Sequence, residues 1–318
     1  MCPKKMKHRI SDEDEKRDET ISSKSDDTNA QTWRDEAINS GSLRHVDLHN
    51  GSNGWASPPG DLFTLRNKHF FSNNNNNNNN KKQKSPSGDW LLKPAGVDWL
   101  RSASRLDNVL ARPDNRVANA LKFAQQTGTE SLKSFIFAVN LQVPGRENHS
   151  AVFYFATDEP VPVGSLFYRF INGDDAFRNQ RFKIVNRIVK GPWIVKATVG
   201  NHAACLLGKA LSCKYYRGEN YLEIDVDIGS SAIASAILHL ALKYVTAVSI
   251  DMGFLVESQT EEELPERLLG AVRVAHMEMS SATYVETTNG CRGLGLSKVN
   301  HHKSEGGDGD DEIVTKEG

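Results

Sequence analysis

Tyr221-Leu-Glu-Ile-Asp-Val-Asp-Ile-Gly-Ser-Ser231 is the stretch that decides the fold class of this chain. Glu223, Asp225 and Asp227 alternate with Leu222, Ile224, Val226 and Ile228. Successive side chains of a strand point to opposite faces, so the alternation predicts a strand with one buried and one solvated face. Ser230 and Ser231 offer the hydroxyl that caps a following helix. That helix is predicted to run to about Tyr244. Ile233, Ile237, Leu238, Leu240 and Leu242, with alanines between them, leave it almost no polar face. A helix apolar all round is expected to lie buried between layers. A strand from Ala247 to Val256 comes next, then a small helix at Glu261 to Leu269 and a strand from Ala271 to Met279.

Upstream of this stretch, Phe135 to Val143 and Ala151 to Thr157 are rich in aromatic and β-branched residues. Pro144-Gly145 lies between them, which predicts an antiparallel hairpin. Lys214 to Arg217 and Tyr221 to Ile228 predict a second hairpin around Gly218-Glu-Asn220. Arg101 to Gln126 reads as helical pieces broken at Pro113, with Asp114 capping the second and Val117, Ala120, Leu121 and Ala124 sharing a face. Short helices are expected between Gly164 and Phe182, and a strand from Trp193 to Val199. The sum is an α+β domain: a curved antiparallel sheet packed with one long buried helix and several short helices.

The chain has 318 residues, but its ends do not read as core. Residues 1–50 and 287–318 are rich in charged and small polar residues, a composition that cannot bury enough apolar surface to offset ordering entropy. Both are expected to be disordered tails around a domain at 51–286. Asn73 to Asn80 is an unbroken asparagine run. Leu62, Phe63, Leu65, Phe70 and Phe71 precede it and Trp90, Leu91 and Leu92 follow it, so 72–88 is read as a loop inserted within the domain. No apolar leader segment follows the first lysines, and His239, Lys243 and Asp251 interrupt the one long apolar stretch. An intracellular protein, cytoplasmic or peripheral on a membrane and not secreted, is expected, with no transmembrane segment. Cys2, Cys205, Cys213 and Cys291 show no metal or redox spacing and read as free thiols.

No motif for catalysis, a cofactor or a metal is present, so no catalytic, cofactor-binding or metal-ligating residue is assigned. Glu223, Asp225 and Asp227 could in principle hold a hard cation, but a solvated strand face accounts for them. Asp174 and Asp175 read as helix caps. The lone histidines 149, 202, 239 and 276 read as ordinary surface or core imidazoles.

Charge is more informative. The formal net charge is −1, yet Ala176 to Gly218 holds no acidic residue, while Glu219 to Glu286 is strongly acidic. Within the basic half, Arg178, Arg181, Lys183, Arg187 and Lys190 are interleaved with Phe182, Ile184, Val185 and Ile188. Basic residues among apolar ones suit an anionic lipid or membrane surface. These five are the candidate lipid- or anion-binding residues, and nucleic acid is not expected as a partner. The competing reading pairs the basic block internally with the acidic half. The rival function is a protein-interaction adaptor without a lipid ligand.

Phe137-Ala-Val-Asn-Leu-Gln-Val-Pro-Gly145, Phe170-Ile-Asn-Gly-Asp-Asp-Ala-Phe-Arg-Asn-Gln-Arg-Phe-Lys183, Pro192-Trp-Ile-Val-Lys196, Ala204-Cys-Leu-Leu-Gly-Lys-Ala210, the opening motif and Thr260-Glu-Glu-Glu-Leu-Pro-Glu-Arg267 occur in this order. From about Trp55 to Met279 the chain resembles the plant C-terminal domain of the enhanced disease resistance two family. The resemblance implies a link to restraint of defence-related cell death, while the family's lipid association belongs to the members with added lipid-binding modules. Members often carry this domain behind PH and START modules, and the chain resembles the stand-alone members without them. The family supplies no catalytic residues to carry over.

Overall fold

The computed structural model describes residues 33–72, 83–127, 134–200 and 202–287. Helix α1 (33–39) and strands β1 (Arg44–His45) and β2 (Gly54–Ala56) come first. The short hairpin β3 (Thr64–Arg66) and β4 (Lys84–Pro86) follows, then β5 (Lys93–Ser102), α2 (Arg116–Thr127), β6 (Phe135–Val143) and β7 (Asn148–Thr157). Helices α3 (Leu166–Asn172) and α4 (Asp175–Arg181) lead into β8 (Phe182–Lys190). Next are α5 (Trp193–Val199), β9 (His202–Leu206), α6 (Leu207–Ala210), β10 (Ser212–Arg217) and β11 (Tyr221–Asp227). The chain closes with α7 (Ala232–Lys243), β12 (Ser249–Val256), β13 (Leu268–Ala275) and β14 (Thr283–Tyr284).

The strands form two open, curved six-stranded sheets, in the orders β1-β2-β13-β12-β8-β9 and β10-β11-β6-β7-β5-β14. The α+β class holds, with one large sheet replaced by two. Both predicted hairpins are present, β6–β7 and β10–β11. Most pairings are antiparallel, but β11 lies parallel to β6, β14 to β5 and β1 to β2. The chain moves back and forth between the sheets, because β8–β9 and β12–β13 join one while β5–β7, β10–β11 and β14 join the other.

Aromatic side chains join the two inner faces. Phe254 of β12 lies 5.6 Å from Phe153, 5.9 Å from Phe155 and 6.3 Å from Phe182, ring centre to ring centre. Each such buried ring contributes about 1.5–3 kcal/mol through burial alone. Gly270 makes room for this cluster, since a Cβ there would lie 2.2 Å from the Phe155 ring. The other face of the β5–β7 sheet packs Ala95, Ile136, Val152 and Tyr154 against Trp33 and Ala37 of α1 and Val117 and Leu121 of α2.

Several expectations are corrected. Trp33, Ala37 and Leu43 are buried, so ordered structure begins well before residue 51. Lys84–Pro86, placed in the inserted loop, is a strand paired with Thr64–Arg66. The asparagine run between them lies outside the described residues, as do most of both tails. Asn115, not Asp114, caps α2, accepting from the Ala118 N–H at 2.9 Å. Trp193 to Val199 is a helix: the Pro192 ring holds φ at −57° at its N-cap, and its carbonyl accepts from Val195 and Lys196. Glu261 to Glu263 is a single turn, and β13 begins at Leu268, so no helix reaches Leu269. The long helix α7 is capped by Ser231 as expected, but none of its residues is buried.

Candidate functional site

Within β8, Lys183 and Arg187 are an even number of residues apart and share one face of their sheet. The register sets acids of β12 and the acidic turn beside them. Arg187 stands opposite Asp251, and Asp251 stands opposite Arg273 on the other side. Arg187 donates to Asp251 Oδ2 at 2.6 Å and Arg273 to Oδ1 at 2.5 Å. Lys183 Nζ donates to Glu257 at 3.0 Å and to Glu266 at 3.3 Å. The same two carboxylates pair with Arg66. Arg181 donates to Glu263 at 2.7 Å, and Arg169 reaches the other oxygen of that carboxylate. Arg178 donates to the carbonyls of Phe170 and Ile171 and to Asp175.

This corrects the expectation of an exposed cationic patch. Arg178, Arg181 and Lys183 are buried, Arg187 is half-buried and ion-paired, and of the five candidates only Lys190 is exposed. The pairing with the acidic half is what the structure adopts. Burial would push the Glu263 carboxyl up, but hydrogen bonds from the Gln259 N–H, Arg181 and Arg169 outweigh it and hold it at about 2. Such buried pairs cost desolvation as well as gaining attraction, and breaking one strands an uncompensated charge.

The acidic strand is corrected as well. Glu223 and Asp225 are buried, not solvated. Glu223 accepts from the backbone N–H groups of Val109 at 2.6 Å and Leu110 at 2.7 Å. These are free amides at the start of a single helical turn, Val109–Ala111, where a carboxylate is favoured. Asp225 accepts from the Asn108 N–H and from Asn140 Nδ2. Burial, then the Glu223 charge beside it, raises the Asp225 carboxyl to about 9. Burial also raises Glu223. The two carboxyls therefore hold a proton between them at neutral pH and fasten the 105–111 segment onto the sheet. Asp227 pairs with Arg105 at 2.6 Å. Among the described residues no group of three or more His, Cys, Asp or Glu side chains is placed to hold a metal ion.

Asp174 caps α4, accepting from the Phe177 N–H. Cys205 and Cys213 are free and half-buried, and burial pushes the Cys213 thiol up to about 12. His149 stacks on Trp99, ring centres 5.0 Å apart.

A different surface emerges at α5 and α7, two helices in mutual contact. Val195 anchors α5 against Ile188 and Val248, while Leu238 and Leu242 hold α7 to the main core. Apolar residues also face outward, beside Thr198, His239 and Lys243. Trp193 is 77% exposed and Ile233 76% exposed, and Ala232 and Ala236 are also exposed. Lys196 lies in α5, Lys243 ends α7 and Lys190 precedes α5, and no acidic residue occurs from Ala176 to Gly218 or between Asp227 and Asp251. The sequence carried the signal in that acid-free run and in a helix lacking a polar face. Core burial was the reading given to it. No helix among the described residues is long and apolar enough to cross a membrane.

Comparison with known proteins gives the same family as the ordered motifs. Residues 55–278 match the family described as Protein ENHANCED DISEASE RESISTANCE 2, C-terminal. A curated relative from Arabidopsis thaliana, "Protein ENHANCED DISEASE RESISTANCE 2-like", is 44% identical over 262 residues, covering 80% of this chain and 34% of the relative. The chain thus spans about a third of the length of that relative. No solved structure matches.

Proposed function

This chain belongs to the family of ENHANCED DISEASE RESISTANCE 2 C-terminal domains, and we propose that it is a non-enzymatic module docking on an anionic membrane surface, with a part in plant defence. The defence role rests on the family name alone. The docking surface rests on one observation: Trp193 and Ile233 are exposed on two contacting helices that carry lysines and no acid. Tryptophan is favoured at the headgroup level, where its ring is half apolar and its N–H can be solvated. Each nearby lysine adds about 1 kcal/mol of attraction to anionic lipid. Apolar insertion and charge together make the two-signal arrangement that weak single anchors lack.

Helix α7 has 12 residues and so spans about 18 Å at 1.5 Å per residue. That is too short to cross a hydrocarbon core of about 30 Å. Docking in the plane of the interface is what such a helix can do.

Co-sedimentation with phosphatidylserine-containing vesicles tests this. The folded chain binds them, binds neutral vesicles less, and loses binding when Trp193→Ser and Ile233→Ser are combined. Wild-type protein that stays in the supernatant, or a double variant that still pellets, overturns the reading. The adaptor reading draws on the same exposed apolar residues, which a protein partner would cover. It gains if the double variant loses a protein complex while vesicle binding is absent throughout.

A further inference from the structure

A cleft of about 500 Å³ opens at the other end of the acidic turn, within the range of about 300–1,000 Å³ usual for small-ligand sites. The sequence builds it simply. Leu91 and Leu92 run beside β13 through hydrogen bonds to the Leu268 and Leu269 carbonyls. That places Leu92 and Leu269 on one wall, with Val256 from the end of β12. Phe167 and Leu166 of α3, and the proline-rich turn at Pro160 and Pro162, form the other. Leu92, Phe167, Val256 and Leu269 are buried beneath the cleft, while Leu91, Val161 and Leu166 are partly exposed and give it its apolar surface, beside polar groups.

Its charged groups differ in state. Glu263 lines the cleft, but its oxygens are occupied by Arg169, Arg181 and the Gln259 N–H. Arg267 also lines it and is exposed, without a hydrogen-bond or ion-pair partner among the described residues. Glu159 is the second carboxylate on the lining. Arg267 is the one cation on the lining, against Glu159 and a Glu263 that Arg169 and Arg181 already neutralise. The indole N–H of Trp90 is buried without a partner, and Trp90 lines the same cleft.

From this cleft we infer that the domain holds a single-chain anionic amphiphile, with the apolar tail along Leu91, Val161 and Leu166 and the carboxylate or phosphate head on Arg267. An apolar stretch of wall accepts a hydrocarbon chain, and one unpaired guanidinium on the lining fixes which end faces out. The Trp90 N–H can donate a further hydrogen bond. The inference is independent of membrane docking by α5 and α7, and neither Trp193 nor Ile233 lines the cleft.

Titration of the whole purified chain with a fluorescent polyene fatty acid tests it, with the fatty alcohol of the same chain as competitor. Saturable one-to-one binding is expected, with the acid preferred. Arg267→Met weakens the acid by about tenfold or more, the size of one charge-assisted hydrogen bond, and leaves the alcohol unaffected. Arg267→Lys recovers part of the loss. Trp90→Phe lowers tryptophan-to-probe energy transfer more than Trp193→Phe does. No saturable binding, equal affinity for acid and alcohol, no effect of Arg267→Met, or transfer carried by Trp193 each overturns it. Vesicle co-sedimentation of the Trp193→Ser and Ile233→Ser variant reads a different surface, so the two readings fail separately.

Discussion

Arg187 and Asp251 face each other across the β8–β12 ladder, and the guanidinium reaches the carboxylate at 2.6 Å. The Asp251 side chain is fully buried, and Arg273 holds it from the opposite strand. One carboxylate thus answers two cations in a single cross-strand row. What reads along the chain as a basic block and a distant acidic block is, in the sheet, one set of neighbours.

Asp251→Asn strips the charge that Arg187 and Arg273 share. Breaking a buried pair from one side costs about 3–5 kcal/mol, because the remaining charge stays desolvated. Urea unfolding is expected to show a lower midpoint with unchanged slope. A loss below ~1 kcal/mol would mean that water already screens the row.

Glu263 carries an acid-side dependence. Its folded value, about 2, lies below its ordinary 4.5, so the unfolded chain binds the proton more readily. Stability from this group is present above pH 4.5 and is lost as pH falls toward 2. Glu263→Gln is expected to flatten that part of the pH–stability curve, measured by denaturant titration between those limits. An unchanged slope would assign acid lability to other carboxylates.

Asp225 acts with the opposite sign. Its folded value, about 9, lies above its ordinary 3.8, so the folded chain holds the extra proton. Its contribution to stability falls as pH rises through that window and is level beyond it. Asp225→Asn keeps an N–H donor toward Glu223 without a titrating group, and is expected to remove this slope. A variant that retains the full slope between pH 4 and 9 would place the proton elsewhere.

Trp193→Ser and Ile233→Ser together are expected to leave thermal stability within about 0.5 kcal/mol of wild type, since exposed side chains away from packing contribute little. Both residues are more than three-quarters exposed. A drop of several degrees would show that they are packed in solution, and would remove the face from consideration as a docking surface.

How far the sequence disclosed this depended on whether local pattern and tertiary pairing agreed. Phe135–Val143 with Asn148–Thr157, and Ser212–Arg217 with Tyr221–Asp227, announce themselves because the turn and the alternation lie together in sequence. Phe182–Lys190 does not, because Lys183 and Arg187 on its polar face are paired with acids some seventy residues away. Glu223 and Asp225 mislead for the same reason: their alternation is that of a solvated face, yet the amides of Val109 and Leu110 replace the water. Trp193–Val199 is rich in β-branched residues and becomes a helix because Pro192 starts it and Val195 finds an apolar seat. The exposure of α7 was hidden by its composition, which fits a covered helix and a face awaiting cover equally well. The cleft by Arg267 left no mark in the sequence, since its walls come from separate strands, a helix and a loop.

The order in which the strands join their sheets has a consequence for synthesis. The sheet containing β8 waits for β12 and β13 before β2 is joined to β8, and the other gains its edge strands β10 and β14 late in the chain. A nascent polypeptide emerging from the ribosome therefore presents unpaired strand edges until nearly all of the domain is made. Truncation anywhere between β5 and β13 leaves both halves incomplete, and such open edges invite aggregation.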